Sequence, residues 1–256
     1  MLDMTDMTDM TDSASPTPAP TAARAFVTGG ALLFAVSLAV FGWFYLVGLA
    51  DRAPRLAPPA AVILNALLFA LFALHHSVFA RSGVRVRVAH AVSPHLERAT
   101  YVWTASLLLL LLCWRWAAYG APLWDVAGPA RLALRGLQAL GVALSIVAAS
   151  ALGARSLAGL HQLRAPLPST GIDPVDAPPR NSGLYGFVRH PIYFAWLLIV
   201  WAAPTLTPSH LQFAALSTAY LVIAIVYEER DLHARFGPAY ADYIRRVRYR
   251  LVPWLY

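Results

Sequence analysis

The chain has 256 residues, 59% of them hydrophobic, with 20 basic and 13 acidic side chains, a formal net charge of +7 and a mean hydropathy of +0.56. A soluble domain of ordinary composition is about 45 to 50% apolar, so this composition excludes one and points to an integral membrane protein. All the basic side chains are arginine, gathered in short connections between apolar runs and in the C-terminal tail, which excludes the continuous basic face of a nucleic-acid binder.

The opening MLDMTDMTDMTDSASPTPAPTAA is a low-complexity repeat followed by a Pro/Ala/Thr stretch. Residues 1–24 are expected to be disordered and residues 25–256 to form one membrane domain. The opening lacks the basic start of a secretory signal. Apolar runs follow near residues 25–50, 58–80, 100–118 and 131–153, each 19 to 26 residues long. A hydrocarbon core needs about 20 such residues in a helix. Cys113 stands alone within SLLLLLLCW, so neither a disulfide framework nor a thiol metal cluster is expected.

Two shorter runs, 191–203 and 210–227, flank WAAPTLTPSH with its two prolines. They predict a helical hairpin joined at the far side of the bilayer. The sequence therefore predicts an all-α, multi-pass transmembrane bundle of about six segments ending in an amphipathic tail helix. In that tail Leu232, Phe236, Tyr240, Tyr243 and Val247 recur at three- and four-residue steps.

Arginines set the expected orientation. Segments 81–98 and 154–190 and the tail are rich in them, whereas connections 51–57 and 119–130 hold only Arg52 and Arg55. The positive-inside rule places the rich segments and both termini in the cytoplasm. The stretch GLYGFVRHPIYF, residues 183–194, then lies at the cytoplasmic edge, and so do Glu228 and Glu229, which follow LVIAIVY. A hairpin brings Arg189, His190 and Pro191 beside the two carboxylates. A helix starting at Pro191 offers unpaired N–H groups to an anion, and glutamates opposite accept from hydroxyl or ammonium groups. A zwitterionic cofactor with a ribose diol carries all these parts. The alternative is that Arg189 only anchors a helix end at the headgroups and that the glutamates are a solvated start to the tail.

GLYGFVRHPIYF, followed after the hairpin by YEERDLHARFGPAYADYIRRV, resembles the C-terminal signature of the isoprenylcysteine carboxyl methyltransferase-like membrane methyltransferases. WAAPTLTPSHLQFA and the upstream ALHHSVFAR and LERATYVW are similar to the bacterial branch that includes methanethiol S-methyltransferases, and the likeness covers about residues 60–253. The resemblance implies S-adenosylmethionine as cofactor, held by His190, Pro191, Tyr193, Glu228 and Glu229, with Gly183 and Tyr185 at the entrance and Arg189 as the candidate catalytic cation. It implies methyl transfer to a small thiol or another lipophilic acceptor at the cytoplasmic face of a bacterial inner membrane. Where the family often has glycine two residues after Tyr193, this chain has Ala195.

On the acceptor side the candidates are His75, His76, His161 and Gln162. Adjacent residues in a helix point about 100° apart, so His75 and His76 make a poor metal clamp, and no metal site is expected. Either histidine lines the acceptor cavity or serves as an interhelical hydrogen-bonding group. The connection HQLRAPLPSTGIDPVDAPPRN matches no single branch and leaves the acceptor open. Two other readings remain. One is an NADPH-dependent sterol-reductase-like enzyme, which shares the Arg-His-Pro-x-Tyr segment but typically has a Cys and Lys-Tyr-Gly where this tail reads DLHARFGPAY. The other is a non-catalytic membrane protein of the same fold.

Overall fold

The computed structural model describes residues 20–79, 81–92, 96–153, 157–160 and 182–256. Residues 1–19 lie outside these, and the first helix, α1 (Thr21–Trp43), begins four residues before the expected start of the membrane domain. α1 runs into a π-helical turn, Phe44–Gly48. The remaining helices are α2 (Pro58–Phe79), α3 (Ser82–Val92), α4 (Glu97–Arg115), α5 (Gly128–Leu152), α6 (Pro191–Trp201), α7 (Pro208–Phe236) and α8 (Pro238–Arg246).

Four of the helical stretches are long and apolar enough to cross a membrane: residues 21–48, α2, α5 and α7. Their outer faces show why. Leu32, Ile63, Leu67, Leu132, Ile146 and Ile223 are all more than half exposed, as suits side chains turned toward lipid rather than water. Two of the six expected crossings, α4 and α6, are not among these four stretches. α6 has 11 residues, about 16 Å of helix, short of a 30 Å hydrocarbon core. Pro204 and Pro208 limit it, because proline supplies no N–H and disfavours helix in the residue before it.

The short helix is closed from outside. The last carbonyls of a helix lack intrahelical donors, and here Gln138 Nε2 donates to Ile199 O at 3.1 Å while the Tyr45 hydroxyl donates to Val200 O at 2.7 Å. Beyond α6 the chain is extended. β2 (Thr205–Leu206) pairs antiparallel with β1 (Trp124–Asp125), tying the α6–α7 connection to the α4–α5 connection. Thr207 caps α7 by accepting the His210 N–H, with Pro208 at the first helical position. At the same end, the buried Asn65 side chain exchanges both hydrogen bonds with the Ala117 backbone.

The expected hairpin is present, but α6 packs most extensively on α5. The contact is close because α5 has Gly141 where α6 presents Ala195: a Cβ on Gly141 would stand 2.7 Å from the Ala195 carbonyl oxygen. Ala195 is fully buried there. The small residue expected at 195 is thus matched by a glycine on the facing helix. An aromatic core fills the bundle, with Phe41 stacked on Trp196 at 5.1 Å and Phe213 among Tyr45, Phe69 and Trp116.

Candidate functional site

The site assembles at the end opposite β1 and β2. α7 does not stop at the apolar run but continues as one helix through Glu228 and Glu229 to Phe236, so both carboxylates ride on a rigid element. The chain then turns at Gly237, whose φ of +49° favours glycine, and α8 folds back. Its Tyr240, Tyr243 and Val247 pack with Leu232, Phe236 and Ile244, the amphipathic face read from the sequence. After α8 the tail pairs with the stretch before α6: the Arg189 N–H donates to Tyr249 O and the His190 N–H to Arg250 O, both at 2.9 Å. His190 then stands at the N-cap of α6 and Pro191 at its first position.

Glu229 is the hub of the cluster. Arg189 Nε lies 2.7 Å and His190 Nε2 3.3 Å from Oε1, and Arg250 Nε lies 3.0 Å from Oε2. Arg189 also donates through Nη1 to the carbonyls of Val247 and Arg248, both at 2.9 Å, which closes the C-terminal end of α8. Only its Nη2 lacks a protein acceptor among the described residues. Glu228 is in a different condition. Its side chain is 44% exposed, and Oε2 accepts from the Tyr193 hydroxyl at 2.8 Å. The Tyr193 ring stacks parallel on His190, with ring centres 5.4 Å apart.

Gly183 and Tyr185 lie in a single 3₁₀ turn, and Gly183 has φ +60° with open space around it, so backbone conformation rather than close approach calls for glycine. The Tyr185 carbonyl accepts from the Tyr243 hydroxyl at 2.8 Å, and burial, followed by Glu228, pushes its own hydroxyl above the ordinary tyrosine range. Burial likewise pushes the Tyr243 hydroxyl up to about 12. The Tyr240 hydroxyl, raised by burial and then by Glu229, is buried without a hydrogen-bond partner among the described residues.

Toward the bundle interior lies a second polar group. His76 Nδ1 is 2.7 Å from the Tyr101 hydroxyl, and Ser77 and Tyr220 share a 3.1 Å hydrogen bond. His75 is packed between Phe79 and Tyr101, and its Nδ1 is buried without a hydrogen-bond partner among the described residues. The two histidines thus separate as their angular spacing implies, His76 toward Tyr101 and Tyr220 and His75 into an aromatic stack. His161 and Gln162 lie outside the described residues. Among the described residues no group of three His, Cys, Asp or Glu side chains is placed to hold a metal.

The sequence reading missed Arg250, whereas Tyr240 stood in the tail signature YEERDLHARFGPAYADYIRRV without a role of its own. Arg250 is one of several arginines in the tail, and no local pattern marks it; Tyr240 carried a periodicity signal that reads equally well as packing.

No protein-family profile matches the chain, and no solved structure matches it significantly. Curated relatives are closer. The chain is 42% identical over 197 residues to methanethiol S-methyltransferase 1 of Bradyrhizobium diazoefficiens, covering 76% of this chain and 67% of that protein. It is 39% identical over 235 residues to a methanethiol S-methyltransferase of Mycobacterium tuberculosis, covering 88% and 94% of the two chains. A more distant relative is Nurim of Xenopus laevis, 36% identical over 173 residues, or 64% of this chain and 60% of that one. Between the two enzyme classes left open by the Arg-His-Pro-x-Tyr segment, these bacterial relatives fall on the side of methyl transfer. With likeness running through nearly the whole membrane domain, the chain belongs to the methanethiol S-methyltransferase family of integral membrane methyltransferases.

Proposed function

We propose that the chain transfers a methyl group from S-adenosylmethionine to methanethiol or a similarly small thiol, at the cytoplasmic edge of a bacterial inner membrane. The observation that carries this reading is the meeting of the α6 N-terminus with the two carboxylates of α7. The residues fit the cofactor on three counts: a half-exposed carboxylate at Glu228 and, without acceptor or partner among the described residues, the Nη2 of the otherwise engaged Arg189 and the hydroxyl of buried Tyr240. When bound, S-adenosylmethionine would supply an electrophilic sulfonium methyl carbon, to which a thiolate forms its new C–S bond as the bond to the cofactor sulfur breaks and S-adenosylhomocysteine leaves.

The chain's own residues then divide the work. Glu228 accepts from hydroxyl or ammonium groups of the cofactor, and Tyr193 and His190 form its stacked wall. Glu229 is saturated by Arg189, His190 and Arg250 and acts as a positioning residue, fixing the tail over the α6 N-terminus. Pro191 starts that helix without an N–H to satisfy, while Gly183 and Tyr185 shape the entrance. The acceptor approaches from the side of His76, Tyr101 and Tyr220, where an apolar bundle excludes water and holds the thiol near the methyl group.

Purified full-length protein with methyl-labelled S-adenosylmethionine tests this. Labelled dimethyl sulfide from methanethiol, formed faster than products from a prenylcysteine analogue or a phospholipid amine, is the expected outcome. Label confined to the prenylcysteine or lipid product overturns the acceptor assignment, and no labelled product from any of them overturns the reading. Orientation has its own test. A reporter fused after Tyr256 is expected to be active only in a cytoplasmic format, because the tail is rich in arginine.

A further inference from the structure

The end of the bundle away from Glu229 holds a cavity of about 200 Å³, between the connection that follows the π-helical turn and the C-terminal end of α4. Arg52, Arg55 and Arg115 line it with Trp114 and Trp116, and no carboxylate among the described residues does; Asp51 is exposed next to Arg52 in the chain but is not part of the lining. The three guanidinium groups differ in condition. Arg52 donates through Nη1 to the carbonyls of Cys113 and Trp116 at 3.0 and 2.8 Å and lies 5.1 Å from the Phe44 ring centre, so it is fixed as the closure of α4. Arg55 and Arg115 are exposed, and neither forms an ion pair among the described residues. Arg115 stands over the Trp114 ring at 5.5 Å.

Two more arginines near this end are already engaged. Arg131 meets Asp125 at 2.7 Å, and Arg135 donates to the Leu46 carbonyl and to Gln138. Arginine is scarce in short connections on the non-cytoplasmic side of membrane proteins. Three of them converging on one concavity there, with two left uncompensated, imply an anionic ligand. Burial, then the charge of Arg55, holds Arg52 below its ordinary value, against an opposing pull from Cys113.

We propose that this cavity binds the phosphate of an anionic phospholipid headgroup in the leaflet opposite the catalytic site. Guanidinium forks match phosphate oxygens in pairs. The rim supplies the second half of the argument. Trp114 is 71% exposed and Leu56, also lining the cavity, 42%, giving apolar and aromatic surface beside the cations. Tryptophan prefers the headgroup level of a bilayer. An amphiphile satisfies both cations and rim, whereas a free phosphate satisfies only the cations.

The test uses full-length protein in detergent, exposed separately to phosphatidylglycerol, phosphatidylcholine and inorganic phosphate, with bound lipid read by native mass spectrometry and folding by melting temperature. The parent protein and R131Q, whose arginine is already paired with Asp125, are expected to retain at least five times more phosphatidylglycerol than phosphatidylcholine. R55Q/R115Q is expected to lose that preference about fivefold while keeping its lipid-free melting temperature, and R55K/R115K to keep part of it. The single variants R55Q and R115Q are read beside the double variant, so an unstable double variant leaves the comparison intact. Equal phosphatidylglycerol retention by parent and glutamine variants overturns the proposal. Displacement of the lipid by millimolar inorganic phosphate overturns its lipid source.

Discussion

Arg189 Nε lies 2.7 Å from Oε1 of Glu229, forty residues further along the chain, and the two side chains are only 5% and 10% exposed. This pair joins the start of α6 to the C-terminal part of α7, and through the Arg189 Nη1 bonds it also holds the end of α8. Removing one member of a buried pair leaves an uncompensated charge, at a cost of about 3 to 5 kcal/mol. Glu229→Gln, which leaves Arg189 and Arg250 without their carboxylate, is expected to destabilise the fold by that order and to loosen the tail. Thermal unfolding and limited proteolysis of the C-terminal segment check it. Arg189→Lys keeps the charge but not the planar fork that reaches Val247 and Arg248, so it is expected to fall between Glu229→Gln and the parent protein.

Glu228 is expected to behave in the opposite way. It is half-exposed and its one strong internal bond comes from Tyr193. Losing a hydrogen bond to a charged group costs about 1.5 to 3 kcal/mol, or roughly ten- to a hundredfold in affinity. Glu228→Gln should therefore weaken S-adenosylmethionine binding by that factor with little change in melting temperature. A large loss of stability with unchanged affinity would reverse the roles assigned to the two glutamates.

The crossing of α5 and α6 gives a prediction remote from the charged cluster. A Cβ at Gly141 would meet Ala195 O at 2.7 Å and Ile199 Cγ1 at 2.8 Å, so Gly141→Ala must push α6 outward. Overpacking of this kind costs about 1 to 3 kcal/mol. Because α6 carries His190, Pro191 and Tyr193 at its first turn, the variant is expected to lose methyl-transfer rate as well as stability. Because the nearest atom is the Ala195 backbone oxygen, which a side-chain change at 195 leaves in place, adding Ala195→Gly is expected to restore neither melting temperature nor single-turnover rate.

Tyr243 sets an alkaline limit. Burial raises its hydroxyl from an ordinary 10.0 to about 12, against an opposing pull from Arg189. The folded protein thus holds this proton more tightly than the unfolded chain does. The resulting stability is complete below about pH 10 and is lost as pH rises from there through 12, a change of roughly 2 to 3 kcal/mol. Between pH 6 and 9 the group contributes no pH dependence. Unfolding followed across pH 9 to 12 should show a loss that is smaller in Tyr243→Phe, which lacks the titrating hydroxyl.

Much of this was legible in the residues. The apolar runs gave α1, α2, α5 and α7 because hydrophobic length reports directly on a bilayer span. The three- and four-residue spacing from Leu232 to Val247 gave the packed face of α8. Arg189 and Glu229 were placed together because two legs of a hairpin must return to the same edge. What stayed hidden depends on contacts between distant segments. Nothing near Arg250 distinguishes it from Arg246 or Arg248, and only the pairing of residues 249–250 with 189–190 turns it toward Glu229. The shortness of α6 was masked because the apolar run continues through Ala202 and Ala203 after the helix has ended, and its closure needs Tyr45 and Gln138 from other helices.

The proposed function places the methyl donor in the cluster around Glu228 and His190. Equilibrium binding of S-adenosylmethionine to the purified full-length protein, with Tyr193→Phe and Glu228→Gln measured in parallel and NADPH as the comparison ligand, tests it most directly. The account predicts saturable S-adenosylmethionine binding in the parent protein, at least tenfold weaker binding in folded Glu228→Gln, a smaller loss in Tyr193→Phe, and no saturable binding of NADPH. S-adenosylmethionine affinity that is the same in all three folded proteins, or absent from the parent protein, would contradict it.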